Sequence, residues 1–376
     1  MKLARIFYTV AVLIAIIGAL GFWPSNDDRA VGAGKAAVSA PRFKVDPFWP
    51  KPLPNNWLLG EVGGVAVDSR DHIWLYQRPG SLSADEAGAA QDPPISICCA
   101  PAPSVMEFDA EGNYIQGWGG PGPGYEWPRS AHGIFVDHKD NVWLAGNSDH
   151  QVLKFSRDGT FLLQIGHAGK TGGSNHTRFL GLPTDIGVDP HTNDVYIADG
   201  YLNKRVIVFD ADTGEYKRHW GAYGNKPDDT DPGPYDPSAP VAQQFRSPVH
   251  AVRISDDGLV YVADRVNNRI QVFQRDGTFV KEVFLATKTL GAGSAWDVDL
   301  SPDEAQRNLY TADGTNQQVW TLARKDLRIL DTFGRRGRYA GQFHWVHNLA
   351  VDSKGNIYTG EVNSGRRAQK FVYLGD

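Results

Sequence analysis

One short pattern, written six times along the chain, limits its fold more than any other feature. The copies are GGVAVDSRDHIWLYQR (63–78), HGIFVDHKDNVWLAGN (132–147), TDIGVDPHTNDVYIADGY (184–201), HAVRISDDGLVYVADRV (250–266), WDVDLSPDEAQRNLYTADGT (296–315) and HNLAVDSKGNIYTGEV (347–362). Each is a few apolar residues, an acidic turn and an apolar–aromatic strand. The aromatic residues Trp74, Trp143, Tyr196, Tyr261, Tyr310 and Tyr358 follow one another at steps of 69, 53, 65, 49 and 48. Most copies continue into a third strand ending in Phe and a polar turn (VLKFSRDGT, VIVFDADTG, IQVFQRDGT), then a fourth such as FLLQIG or FVKEVF. Alternating strands joined by DG and NG turns are antiparallel hairpins, and four strands per unit at this period make a propeller blade. The expectation is an all-β chain whose residues 42–376 form a six-bladed β-propeller of four-stranded antiparallel blades. The missing 3.6-residue periodicity excludes a helical solenoid. The last copy ends at its third strand (AQKFVYLGD), so Phe43–Trp49 is expected to add the outer strand and close the ring, which leaves few free edges. Long insertions at 79–104, 166–182 and 222–245 are placed on the faces of the disc, where they could shape a substrate site.

Composition agrees: 41 Gly and 23 Pro suit many short strands and tight turns. A net charge of −5 offers no basic surplus for a phosphate backbone, so no nucleic-acid partner is expected. Lys2 and Arg5 precede an uncharged, mostly apolar run from Ile6 to Trp23, the pattern of an export signal, long enough to remain as a membrane anchor. Residues 1–23 are read as signal peptide or signal anchor and 24–41 as a flexible linker. The propeller is thereby expected in the periplasm or outside the cell. The only cysteines, Cys98 and Cys99, are adjacent, which rules out a disulfide scaffold or a four-cysteine zinc site. They could form a strained vicinal disulfide, two loop thiols or an intermolecular bond.

The chemistry emerges when the residue opening each innermost strand is compared across copies. That reading gives Gly64, His132, Asp185, His250, Asp297 and His347 in blades one to six. Innermost strands line the central channel, so histidines from alternate blades point at the axis about 120° apart. Three imidazoles with an open fourth position are the donor set of a catalytic zinc, with iron or another divalent ion as alternatives. The other eight histidines fall mostly in turns or insertions, with His344 the nearest substitute ligand. Arg78, Tyr201 and Arg265 end or follow second strands at the same face. Two guanidiniums and a phenol beside a metal form an anion-binding reactive centre.

The motifs GGVAVD…YQR, HGIFVD, PTDIGVD…VYIADGY, HAVRISDDGLVYVADRVNNRIQVF and HNLAVDSKGNIYTGE resemble the peptidyl-α-hydroxyglycine α-amidating lyase family, which has six-bladed propellers with NHL-type repeats. The resemblance covers essentially all the chain after the leader. It implies zinc on His132, His250 and His347, Tyr201 as base, and Arg78 and Arg265 near the substrate carboxylate and the reacting centre. It also implies a structural calcium on the carbonyls of Val65 and Ile134 and the side chain at position 348. Here that residue is Asn348, not Asp, so the amide brings no charge and calcium affinity should drop. Leu202 and Val262 stand where vertebrate members carry cysteines. The implied reaction cleaves a carbinolamide of a small-molecule or peptide substrate with a carboxylate, yielding an amide and glyoxylate. Two other classes compete. A propeller lactonase would use carboxylate and Asn ligands, unlike this three-histidine set. A non-catalytic NHL scaffold would need no metal and would present a surface patch for a partner.

Overall fold

The computed structural model describes residues 39–376; the signal or anchor reading (1–23) and most of the linker (24–41) lie outside the described residues. Six four-stranded antiparallel sheets follow one another along the chain, and the described residues contain no helix beyond short 3-10 turns. The innermost strands are Glu61–Val67, Ala131–Val136, Pro183–Asp189, Val249–Ile254, Asp297–Leu300 and Val346–Val351. The second strands are Ile73–Arg78, Val142–Gly146, Asp194–Asp199, Val260–Asp264, Asn308–Asp313 and Ile357–Glu361. The ring closes as expected: Phe43–Asp46 pairs with Arg367–Tyr373, from Phe43 opposite Tyr373 to Asp46 opposite Lys370.

The acidic turn has a clear physical task in blades one, two and six. Asp68 accepts hydrogen bonds from the backbone N–H groups of Arg70 and His72 and from Trp74 Nε1. Asp137 does the same for Lys139, Asn141 and Trp143, and Asp352 for Lys354, Asn356 and the Tyr358 hydroxyl. One carboxylate thus shapes the hairpin turn and satisfies the polar edge of the aromatic ring it buries. The six aromatics chosen for alignment are all at most 2 % exposed and sit opposite equivalent inner-strand residues: Ala66, Phe135, Gly187, Arg253, Asp299 and Ala350. The hydrophobic clusters form between neighbouring blades; Trp143 and Val152 of blade two, for example, pack with Ile186, Val195 and Phe209 of blade three.

Buried ion pairs fasten the insertions. Asp199 ends a second strand and holds Arg205, whose guanidinium also donates to the carbonyls of Ser174, His176 and Phe179 in the 166–182 insertion. Asp264 with Arg269, and Glu361 with Arg367, repeat the arrangement in blades four and six. In the 79–104 insertion Cys98 and Cys99 are bonded to each other, and Ala100–Pro101 pairs in parallel with Trp57–Leu58.

Candidate metal centre

A local defect in the inner strands of blades two, four and six aims the key side chains. In blade four the ladder pairs Val249 with Asp264 and then Ala251 with Ala263, so His250 has no partner of its own. In blade six the same skip falls on His347, between Val346 opposite Glu361 and Asn348 opposite Gly360. In blade two the irregularity lies between Ala131 and Ile134 and includes His132. An extra residue in one strand bends it and re-aims its side chain, here towards the axis.

The skip corrects part of the slot reading. In blades one and three it falls on Gly63 and Thr184, and in blade five the equivalent residue is Trp296, just before the ladder starts at Asp297. Gly64, Asp185 and Asp297 are therefore one residue beyond the histidine slot, level with Gly133, Ala251 and Asn348. Asp185 and Asp297 reach sideways: Asp185 accepts the Val252 N–H and Asp297 the Leu349 N–H, tying blade three to four and five to six. Burial pushes the Asp185 carboxyl up to about 6, and burial with the nearby Asp185 charge raises Asp297 well above the usual range.

The three histidines do meet. Their ring centroids are 4.8, 4.6 and 4.8 Å apart, and one ring nitrogen of each lies within 4.8 Å of the others. All three are buried. Each donates its Nδ1–H to the backbone carbonyl of the slot residue in the next blade: His132 to Thr184 at 2.7 Å, His250 to Trp296, and His347 to Gly63 at 2.9 Å. That bond fixes the tautomer and leaves Nε2 as the acceptor nitrogen of each ring. Nε2 of His250 is buried with no hydrogen-bond partner, a costly state that a cation would relieve. Burial, reinforced by the nearby arginines and, for His132 and His250, by the other histidines, lowers all three imidazoles, His347 to about 3. They are neutral at pH 7, the form that ligates metal. The donor set fits one divalent ion.

Tyr201 sits beside this centre, its hydroxyl 3.3 Å from His132 Nε2 and 3.2 Å from a terminal nitrogen of Arg265. Its backbone is pinned by a 3.1 Å bond to the Leu182 carbonyl and by the Ser247 hydroxyl, which donates to the Tyr201 carbonyl. The Arg265 guanidinium lies 4.4 Å from the Trp296 ring centroid and 5.6 Å from that of Tyr201. It has no acidic partner among the described residues, and its Nε is buried without a partner. Arg78 is differently placed: Nε donates to the Ala131 carbonyl at 2.8 Å and an Nη to Glu61 at 2.5 Å. His344 is outside the cluster, its Nε2 2.8 Å from the Ser364 hydroxyl. For the calcium set, Val65 and Ile134 occupy matching positions two residues after the slot, and Asn348 Oδ1 faces His347 Nδ1.

A second group of potential ligands, Asp68, His72 and Glu107, already holds Arg157, whose guanidinium bonds to both carboxylates. Trp296 and Glu61 escaped the sequence reading. Placing the six motifs in register from the acidic turn backwards (GGVAVD, HGIFVD, TDIGVD, HAVRIS, WDVDLS, HNLAVD) would have put Trp296 in the slot. Glu61 precedes the motif and carries no such signal.

By fold and site, the molecule is a six-bladed β-propeller with a cluster of three histidines on its axis. The NHL repeat model matches residues 249–273, the first three strands of blade four. Peptidyl-glycine alpha-amidating monooxygenase B of Xenopus laevis is 28% identical over 82% of this chain and 34% of its own length. Peptidyl-alpha-hydroxyglycine alpha-amidating lyase 1 of Drosophila melanogaster is 28% identical over 86% of this chain and 59% of its own. NHL repeat-containing protein 3 of Homo sapiens is 28% identical over 88% of this chain and 84% of its own. The chain thus spans about a third of the monooxygenase it matches. A solved streptogramin B lyase shares the fold, with TM-score 0.52 and 12% identity over 88% of this chain and 98% of that one. The chain is similar to proteins that bear the amidating-lyase name, and the resemblance drawn from its motifs stands.

Proposed function

We propose that this chain is an enzyme, a metal-dependent lyase that cleaves the C–N bond of a carbinolamide bearing a carboxylate, releasing an amide and glyoxylate or a close relative. The observation that carries the reading is the convergence of three neutral, backbone-oriented imidazoles with Tyr201 and an unpaired Arg265. His132, His250 and His347 would hold the ion, zinc or another divalent metal, which when bound acidifies a hydroxyl placed on it. Tyr201 takes the proton from the substrate's α-hydroxyl. The O–H electron pair forms the new carbonyl, the C–N bond breaks, and the amide nitrogen leaves with the proton that Tyr201 returns. Arg265 donates to the phenol oxygen and balances the negative charge that Tyr201 carries as the phenolate base, which the abstracted proton then neutralises. With Arg265 committed to Tyr201, Arg78 is the cation left for the carboxylate, which suits a guanidinium's paired donors.

The resemblance alone supports calcium on Val65, Ile134 and Asn348, and no step runs through it. An exported location, with tethering to a membrane through the N-terminal run, belongs to the same proposal.

Incubation of the purified protein with α-hydroxyhippurate should release glyoxylate, with about one zinc or iron per chain by elemental analysis. Tyr201→Phe should keep the metal and lose at least ~100-fold in turnover, the lower end for removing a general base. A Tyr201→Phe protein with near-full activity would overturn the base assignment. The second reading, a non-catalytic NHL scaffold, is supported by similarity along 84% of NHL repeat-containing protein 3. Metal-free protein with no glyoxylate release would favour it.

A further inference from the structure

We infer that Glu61 is a gating carboxylate: it pairs with Arg78 and is displaced by the substrate's own carboxylate. The inference rests on the lyase reading above and adds a residue to it. Glu61 and Arg78 face each other across the first hairpin of blade one and are joined by an ion pair whose side chains are 19 and 20 % exposed. The placement is built from several directions. The Glu61 N–H donates to Ser81 Oγ at 2.8 Å, and that hydroxyl donates to the Arg78 carbonyl at 2.8 Å. Arg78 Nε is held by the Ala131 carbonyl, adjacent to His132. Both charged residues line a cavity of about 290 Å³ together with Trp127 and Arg129, so a ligand carboxylate can reach the guanidinium from solvent.

Charge explains why one arginine has an acid and the other has none. The centre gathers two guanidiniums beside three buried imidazoles. A carboxylate on Arg78 offsets part of that positive field until a ligand brings its own. Arg265 already has the Tyr201 oxygen and the Trp296 face. Ligands without a carboxylate cannot replace Glu61, so the pair also selects for anionic substrates.

A guanidinium held closed for two-thirds to nine-tenths of the time weakens carboxylate binding roughly three- to tenfold. Glu61→Gln should therefore lower KM for α-hydroxyhippurate by about that factor, with kcat within about twofold. Calorimetry with hippurate, which keeps the carboxylate and lacks the hydroxyl, should show the same gain in affinity; benzamide should show none. Glu86→Gln, which breaks the more exposed pair with Arg366, is the control and should leave both values unchanged. Glu61→Asp, a milder change, should give a smaller gain and serves if the amide variant folds poorly. Wild-type turnover with an unchanged or raised KM in both Glu61 variants overturns the gate alone. A wild-type protein that neither turns over α-hydroxyhippurate nor binds hippurate overturns the lyase reading, and the gate with it.

Discussion

Acid should destabilise the metal-free protein through its own metal ligands. His347 is buried and close to Arg78, which lowers its pKa from 6.5 to about 3 in the folded chain. Below pH 6.5 the unfolded chain takes up this proton and the folded chain does not. The histidine's neutral form therefore costs nothing above that pH and progressively penalises folding as pH falls towards 3. Between pH 7 and pH 5 the penalty grows by about 2 kcal/mol for this one group, a large fraction of a typical folding free energy. His132 and His250 shift in the same direction for the same leading reason, so they add to the loss. The assay is urea unfolding of chelator-stripped protein at pH 7 and pH 5, for wild type and His347→Gln. The wild type should lose about 2 kcal/mol more than the variant over that interval. Equal losses, or a wild type that resists acid better than the variant, would refute the buried-neutral assignment.

Two further substitutions probe how the scaffold holds the centre. A methyl group at Gly200 would fall 1.9 Å from the Val249 carbonyl oxygen, so Gly200→Ala must displace the segment carrying Tyr201. It should cost roughly 1–3 kcal/mol in thermal or chemical unfolding, as overpacking does, and lower turnover at least tenfold. Arg205→Met removes one half of a fully buried pair and frees three loop carbonyls; a loss of about 3–5 kcal/mol and new protease cleavage within 166–182 are expected, by unfolding assays and limited proteolysis.

The blade count, the aromatic register and the ring closure were legible because they depend on local pattern: alternation, turn residues and one aromatic per repeat. The three histidines were legible because the repeat puts them at equivalent positions. What could not be read was the phase of the slot in the other three blades. The sequence reading paired histidines with Asp185 and Asp297, since a polar residue opening a strand looks like a channel residue. In a regular strand a one-residue slip moves a side chain to the opposite face. The skipped residue lies ahead of those aspartates, which leaves them as bridges to the neighbouring blade. Glu61 was invisible for another reason: its importance lies in facing Arg78 across a hairpin, and nothing in its own neighbourhood of the chain records that partner.

The corrected slot gives the centre its logic. Blades two, four and six supply imidazoles, and blades three, five and one supply the carbonyls that accept their Nδ1–H groups. Because these acceptors are main-chain atoms, the side chains of the odd blades are free to differ, and Gly63, Thr184 and Trp296 do differ completely. Trp296 uses that freedom to seat Arg265 on its ring, and Thr184 donates its hydroxyl to the carbonyls of Ala198 and Val249. Gly63 leaves room: a methyl there would lie 2.5 Å from the Ala131 carbonyl, the acceptor that also holds Arg78. One six-fold position therefore provides the donor set, its orientation and the ring that seats Arg265, and at Gly63 it leaves clear the carbonyl that holds Arg78. On the axis of the disc, side chains from three alternate blades lie close enough to offer their nitrogens to a single ion.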